Sequence, residues 1–155
     1  MDLIVSGLEG AIAAIESIGM ESFSEAMFTE VAMFAMLRIK VRTQEGKDYM
    51  ERPFEPYTPK YAAFRDKRGH PSSKVNLTFS GRMLGQGMTF EATDTSARLF
   101  FADTSDPDNE KVTQAEKAYY NSQRREFFRL NEGDIAEIMA IVDNHFQKTV
   151  FRRRK

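Results

Sequence analysis

The sequence predicts an α+β protein in which an antiparallel sheet with a hairpin packs against several helices in a single domain. Two strand patterns lie close together within residues 88–101, and helical patterns precede and follow them. These patterns do not repeat at the spacing of strand–helix–strand units, which argues against a doubly wound sheet. A chain of 155 residues fits one domain. Such a chain buries about two thirds of its unfolded surface and needs no disulfide or structural metal to fold.

Two helices are predicted within about residues 2–45. The first begins near Asp2 and stops at Gly19, and its apolar face consists of Leu8, Ile12, Ile15 and Ile18. The second helix begins at Glu25, after a cap at Ser22 or Ser24, and ends at residues 43–46. Its apolar stripe consists of Phe28, Val31, Ala35 and Ile39. Three further apolar residues widen this stripe: Met27, Phe34 and Leu37. Because this stripe covers more than half of the circumference, the helix is either sandwiched in the core or also packs on a neighbouring subunit.

A proline-aromatic arm follows at residues 53–62. Pro53, Pro56 and Pro59 each fix their own backbone angle and push the preceding residue away from helix. The chain should therefore run extended, with Phe54, Tyr57 and Tyr61 as aromatic anchors that dock on another protein or cover the domain's own core. Residues 65–74 are charged and rich in turn formers, which predicts a mobile loop.

The middle of the chain supplies the sheet. Residues 75–79 alternate apolar and polar side chains, which suits a half-buried strand. Residues 88–93 and 97–101 are stronger strand candidates, and the polar turn between them predicts a hairpin.

Two further helices are predicted in the last third. Residues 110–120 place Val112, Ala115 and Tyr119 on one face. Asn131 can cap a final helix with Asp134 at the capping-box position, and the buried stripe of this helix would be Ile135, Ile138, Ile141, Val142 and Phe146.

Charge and composition exclude several classes of protein. The chain has no cysteine, so it forms no disulfide or thiolate metal site, and its net charge of −1 argues against a dedicated nucleic-acid binder. We expect neither a signal peptide nor a membrane span. The charge is nevertheless uneven, because residues 103–110 are acidic and a basic tail occupies residues 148–155. The cations of this tail are candidates for contact with DNA or an acidic partner, or form a solvated end: Lys148, Arg152, Arg153, Arg154 and Lys155.

No pattern in the sequence indicates catalysis or a cofactor. His70 and His145 are the only histidines, and neither has a motif partner for a catalytic triad. The acidic stretch fails the spacing of a calcium-binding loop, because Lys111 and Lys117 occupy the positions that require Gly and a bidentate acid when counting starts at Asp106. We therefore expect no catalytic residues, no metal site and no cofactor, and an enzyme would be surprising.

Three blocks, in one order, resemble the phage virion morphogenesis family. They are PFEPYTPKYA at residues 53–62, VNLTFSGRML at residues 75–84 and RREFFRL at residues 124–130. Members of this family are tail-completion proteins, which finish a phage tail and help join it to the head. The resemblance also implies a short helix at residues 80–86 in which Met83 and Leu84 face inward, so the conformation of residues 75–86 stays open.

The resemblance implies a structural virion protein that acts by self-assembly and docking. It implies a homo-oligomer, with a hexameric ring as the expected form, located in the tail or neck of the virion after assembly in the host cytoplasm. Expected partners are the tail terminator, tail tube or neck proteins, and the packaged DNA is a candidate contact. Residues expected at subunit or partner interfaces are Phe54, Tyr57, Tyr61, Arg82, Met83, Arg124, Arg125 and Phe128.

Two interpretations of the third block stay open. In the first, Phe127 and Phe128 are buried beneath the sheet while Arg125 and Glu126 form exposed ion pairs of small value. In the second, the segment presents its arginines to an adjacent subunit. The main rival function is a nucleic-acid-binding phage regulator, motivated by residues 152–155 together with Arg65, Lys67 and Arg68. A small phage-encoded hydrolase ranks last because no nucleophile and base converge.

Overall fold

A computed structural model describes residues 2–4, 23–106 and 109–153. The strands are β1 (Asp2–Ile4), β2 (Met88–Ala92), β3 (Ala97–Phe101), β4 (Ser105–Asp106) and β5 (Asn109–Thr113). The helices are α1 (Glu25–Gln44), α2 (Pro59–Asp66), α3 (Gln114–Ser122) and α4 (Glu132–Arg153), and a π-helical turn spans Met83–Gly87. The predicted α+β class is therefore confirmed: an antiparallel sheet with a hairpin packs against helices.

The predicted hairpin is present as β2 and β3. The two strands are antiparallel, with Phe90 opposite Leu99, and β1 adds to the other edge of β3. The turn between the strands is closed by Thr93, whose backbone N–H donates to the carbonyl of Ser96 at 2.8 Å. Leu99 is fully buried and faces the helical layer, as the alternation of β3 requires.

Helix α1 forms the centre of the helical layer. Ser24 caps it, because its side-chain oxygen accepts from the backbone N–H of Met27, and the helix ends at Gln44 as predicted. Its buried face packs on β2, β3 and α4. The same core contains the side chains of Val31, Ala35, Ile39, Leu99, Phe127 and Ile138.

The capping box predicted for α4 is confirmed. Asn131 Oδ1 accepts from the backbone N–H of Asp134 at 2.9 Å, and Asp134 Oδ2 accepts from the backbone N–H of Asn131 at 3.1 Å. Ile138 and Val142 are buried as expected, whereas Ile135 is exposed. Ile135 was wrongly assigned to the buried stripe because the helix turns this position away from α1.

Three sequence predictions about local structure are wrong. Asp2 belongs to a strand, and the rest of the helix predicted to end at Gly19 lies outside the described residues. The proline arm is extended only to Thr58, because Pro59 occupies the first turn of α2, where its missing N–H costs no hydrogen bond. Tyr61 therefore lies in a helix. Residues 109–113 form a strand, so the helix predicted from Glu110 begins only at Gln114, and Tyr119 is exposed.

The open question at residues 75–86 is resolved in favour of the short helix, which spans Met83–Gly87 as a π-helical turn. Residues 75–79 form no strand, and Leu77 has a φ of 51°. Met83 and Leu84 are both buried in the π-helical turn that follows. The predicted loop at 65–74 is shorter than expected, because Arg65 and Asp66 belong to α2. Asp66 closes the loop by accepting from the backbone N–H and the hydroxyl of Ser72.

Candidate functional site

A concave cavity of about 480 Å³ opens on one side of the domain. Its wall is built from three separate segments: the end of the proline arm with α2, residues 77–83, and α3 with the turn after it. These are the segments that carry the three sequence blocks, which are far apart in the chain. The predicted interface residues that line the cavity are Tyr57, Tyr61, Met83, Arg124 and Arg125.

Arg65 lies in the cavity wall although it is only 2% exposed. Its Nη2 donates to the backbone carbonyl of Thr78 at 2.9 Å and, at 3.4 Å, to that of Pro71. The guanidinium also lies over the ring of Tyr57, 4.7 Å from its centroid. Arg65 thus connects α2 to the segment before the π-helical turn, and the prediction that it belongs to an exposed loop is wrong.

Arg125 performs the equivalent role from the other side of the cavity. Its Nη2 donates to the carbonyls of Glu55 and Pro56, at 3.0 and 3.4 Å, and its guanidinium lies 5.5 Å from the Tyr57 ring centroid. The side chain is 8% exposed, so the expectation of an exposed ion pair at Arg125 is wrong. Tyr57 is therefore held between two arginines that fix the proline arm to the rest of the domain.

These two arginines differ from the third buried arginine of the domain. Arg42 donates to the buried carboxylate of Asp134 at 2.6 Å and also to the carbonyl of Arg129. Among the described residues, no carboxylate lies within ion-pair distance of Arg65 or Arg125, whose hydrogen bonds go to carbonyls alone. The positive charge of Arg42 is neutralised by a carboxylate, whereas Arg65 and Arg125 are held by backbone carbonyls.

The cavity lining has one sign of charge. Its cations are Arg65, Lys117, Arg124 and Arg125, and the described residues that form the lining include no Asp or Glu. Burial lowers the pKa of Lys117, and repulsion from Arg82 lowers it further. Burial also lowers the pKa of Arg125, and the weaker attractions of Tyr57 and Glu55 do not reverse that shift. Both shifts have the direction expected for a cation that is partly removed from water.

Aromatic rings occupy much of the remaining wall. Tyr57 and Tyr61 meet edge to face at 5.1 Å, and Phe64 stacks at 5.8 Å on both Tyr61 and Phe79. Tyr61 and Tyr120 line the cavity and remain 39% and 64% exposed, so their rings lie near its mouth. The hydroxyl of Tyr57 is enclosed and has no hydrogen-bond partner among the described residues.

The other predicted interface residues have different positions. Phe54 and Phe128 belong to the hydrophobic core, where each exposes less than a tenth of its surface. Phe127 is likewise buried, as the first interpretation of its block expects. Arg82 is half-buried just before the π-helical turn, and Arg124 is exposed. Within this set, Arg124 is therefore the cation that a partner can reach most easily.

The basic tail is described only in part. Lys148 is exposed on α4, and Arg152 and Arg153 continue the helix backbone to its end. Arg154 and Lys155 lie outside the described residues. The contact predicted between this tail and DNA or an acidic partner thus remains a prediction.

A second surface is apolar and lies on α1. Met33, Leu37 and Val41 recur every fourth residue on the side of the helix opposite the core and are 54%, 60% and 39% exposed. The spacing places them along one line of the helix surface. The sequence left open whether this broad stripe is sandwiched in the core or faces a neighbour. Among the described residues, one side of this helix is buried and the other is exposed.

The two histidines contact an aromatic ring and a carboxylate, respectively. His70 packs on Phe79, with ring centroids 4.2 Å apart, and His145 Nε2 lies 2.7 Å from Glu30 Oε2. The described residues contain no group of three or more His, Cys, Asp or Glu side chains suited to a metal ion. No helix in the described part of the chain is long and apolar enough to cross a membrane.

Three members of the cavity were not recognised from sequence as a group: Arg65, Lys117 and Tyr120. Each lies in a segment whose pattern is ordinary, and only the tertiary fold brings α2 and α3 to the same cavity wall. Comparison of the chain with known proteins found no matching family model, curated protein or solved structure.

Proposed function

We propose that this chain is a structural virion protein that completes a phage tail and connects it to the head. It acts by self-assembly into a ring and by docking to tail or neck proteins, without catalytic turnover. The observation that carries the proposal is the convergence of the three sequence blocks on one cavity wall, through Tyr57, Met83 and Arg125. Blocks that resemble one family and also meet in space are more informative than the same blocks scattered over a surface.

The contacts among the blocks explain their residue types. The prolines hold residues 53–58 extended, which exposes the carbonyls of Glu55 and Pro56 to Arg125. Tyr57 fills the space between Arg65 and Arg125. The third block therefore holds the first in place, and the combination forms a rigid surface suited to docking.

The uncovered apolar stripe of α1 supports self-assembly. Large side chains exposed in a regular line are typical of surfaces that another protein covers. A ring requires two different surfaces on each subunit, because a heterologous contact closes by rotation. The stripe of Met33, Leu37 and Val41 is one such surface.

Immunogold electron microscopy of purified phage particles tests the proposal. Antibodies against this protein should label one site per particle, at the junction between head and tail. Antibodies against a tail-tube protein provide the positional control, because they should label along the tail. Purified infectious particles that contain none of this protein would contradict the proposal.

The nucleic-acid-binding regulator is the second candidate. The basic cavity favours it, but Arg65 is buried and cannot join Lys67 and Arg68 in an exposed patch for a duplex. Duplex binding that falls steeply with salt and depends on Arg152–Lys155 would favour this candidate over tail completion.

A further inference from the structure

We propose that the basic, aromatic cavity binds a nucleotide, either as a free molecule or as one unit of a single strand. The ligand class follows from the charge, size and ring content of the cavity wall. The inference does not depend on tail completion, because it concerns only the chemistry of this wall.

The charge of the wall selects an anion. Three arginines line the cavity, Arg65, Arg124 and Arg125, and none of them has a carboxylate within ion-pair distance among the described residues. Cations in a concave wall of low dielectric reinforce one another's field and attract an oxyanion more strongly than the same charges on a flat surface. Arg42, which is paired with Asp134, shows how this domain neutralises a buried arginine where no ligand is needed.

The groups that can contact a ligand lie nearer the mouth. The Nε atoms of Arg65 and Arg125 are enclosed, so these residues act through their charge rather than through direct hydrogen bonds from Nε. Arg124 is exposed in the wall. Its guanidinium can donate charge-assisted hydrogen bonds to a phosphate.

The rings and the volume favour a nucleotide over a bare phosphate or a duplex. Tyr61 and Tyr120 are exposed near the mouth, where a base can stack on an aromatic ring, and such stacking tolerates any base. A volume of about 480 Å³ lies within the range of small-molecule sites and admits a single nucleotide, whereas a double helix is too wide to enter. An acidic peptide would satisfy the cations but would make less use of the tyrosine faces.

Equilibrium binding of two probes to the full chain tests the inference: adenosine monophosphate by calorimetry and a fluorescent ten-nucleotide oligothymidylate by anisotropy. We expect saturable binding of at least one probe, weakened by added salt. Similar affinity for both probes indicates a site for one free nucleotide, and a strong preference for the oligonucleotide indicates a strand site. Either result supports the inference.

Matched variants locate the binding. Arg124→Gln should weaken it about tenfold, because a charge-assisted hydrogen bond is lost. Tyr120→Ala should weaken it at least about fivefold, whereas Tyr120→Phe keeps the stacking face and should stay within about twofold of the parent. Arg129→Gln, an exposed arginine outside the lining, should leave the affinity unchanged. Thermal unfolding of every variant checks that the fold is retained.

Three results would overturn the inference. One is the absence of saturable binding of both probes at low salt. Another is an equal loss of affinity in Arg124→Gln and Arg129→Gln, which would indicate non-specific attraction to surface charge. The third is saturation by hexaglutamate at concentrations where neither nucleotide probe binds, which would assign the cavity to an acidic peptide.

Discussion

Replacement of Asp134 by Asn tests the most consequential electrostatic feature of the fold. The carboxylate of Asp134 is 1% exposed and accepts hydrogen bonds from Arg42 at 2.6 Å, from Arg38 at 2.9 Å and from the backbone N–H of Asn131 at 3.1 Å. Asn has nearly the same shape but carries no charge. The NH2 half of its amide would also face N–H groups that now donate to the carboxylate. The charge of Arg42 would therefore remain buried without compensation.

The expected loss is large for a single isosteric change. Removing one partner of a buried ion pair costs about 3–5 kcal/mol, because the remaining charge stays in the low-dielectric interior. In a domain of this length each kcal/mol changes the melting temperature by about 2–4 °C, so we expect a decrease of roughly 6–20 °C. Folded domains have total stabilities of only about 5–15 kcal/mol, and the variant should be near the limit of folding.

Urea denaturation followed by circular dichroism measures this change. The midpoint should fall without a change in slope. Glu126→Gln is the control, because it removes an exposed partner that lies 3.4 Å from Arg129 and should cost less than about 1 kcal/mol. A double variant, Arg42→Met with Asp134→Leu, should recover part of the loss, because no unpaired charge remains in the interior while the hydrogen bonds to the Asn131 N–H and the Arg129 carbonyl are lost. An unfolding free energy for Asp134→Asn within about 1 kcal/mol of the parent would refute the reasoning.

The same residue predicts a pH dependence. Burial alone would raise the pKa of Asp134, but the hydrogen bonds from Arg38, Arg42 and Asn131 together hold it below its ordinary value. The unfolded state, with a pKa of about 3.9, therefore binds more protons in the acid range. The stabilisation is fully present above about pH 5 and is lost as the pH falls through the folded-state pKa. As the pH falls from about 5 to 2, the free energy of unfolding should therefore decrease less for Asp134→Asn than for the parent.

Three other substitutions test particular features. Gly46→Ala should lower the free energy of unfolding, measured in urea, by more than about 1 kcal/mol. The reason is that Gly46 has a φ of 82° and that the new Cβ would lie 2.9 Å from the carbonyl oxygen of Val75. Unchanged stability would contradict this prediction. Thr113→Ala removes the capping box of α3 and should cost about 1 kcal/mol, with faster amide exchange in the first turn; unchanged protection there would count against the cap. Leu37→Glu should abolish concentration-dependent association in analytical ultracentrifugation while the fold persists, whereas Gln123→Glu should associate like the parent; equal association of both would remove the interface assigned to α1.

Features specified by neighbouring residues could be predicted from sequence. The two ends of α1 could be predicted from Ser24 and from the polar residues that follow the helix. The signal is local because the Ser24 side chain bonds to a backbone N–H only three residues further along. The β2–β3 hairpin depends on a short polar turn between two alternating runs. The capping box at Asn131 and Asp134 is equally local. Each of these predictions used interactions over at most a few residues of separation.

Features that depend on tertiary partners could not be predicted in this way. Asp134 was recognised as a capping residue, but its ion pair with Arg42 joins residues 92 positions apart. Arg65 has the composition of an exposed loop, and only the carbonyls of Pro71 and Thr78 explain its burial. Pro59 was interpreted as continuing the extended arm, although proline is equally suited to the first turn of a helix. The cavity itself requires the packing of three distant segments.

Electron microscopy of particles produced after disruption of this gene in its phage or prophage tests the central claim most directly. The tail-completion account predicts filled heads beside separate, unjoined tails, and restoration of joined particles when the intact gene is supplied in trans. Intact infectious particles at normal yield without the gene would contradict it.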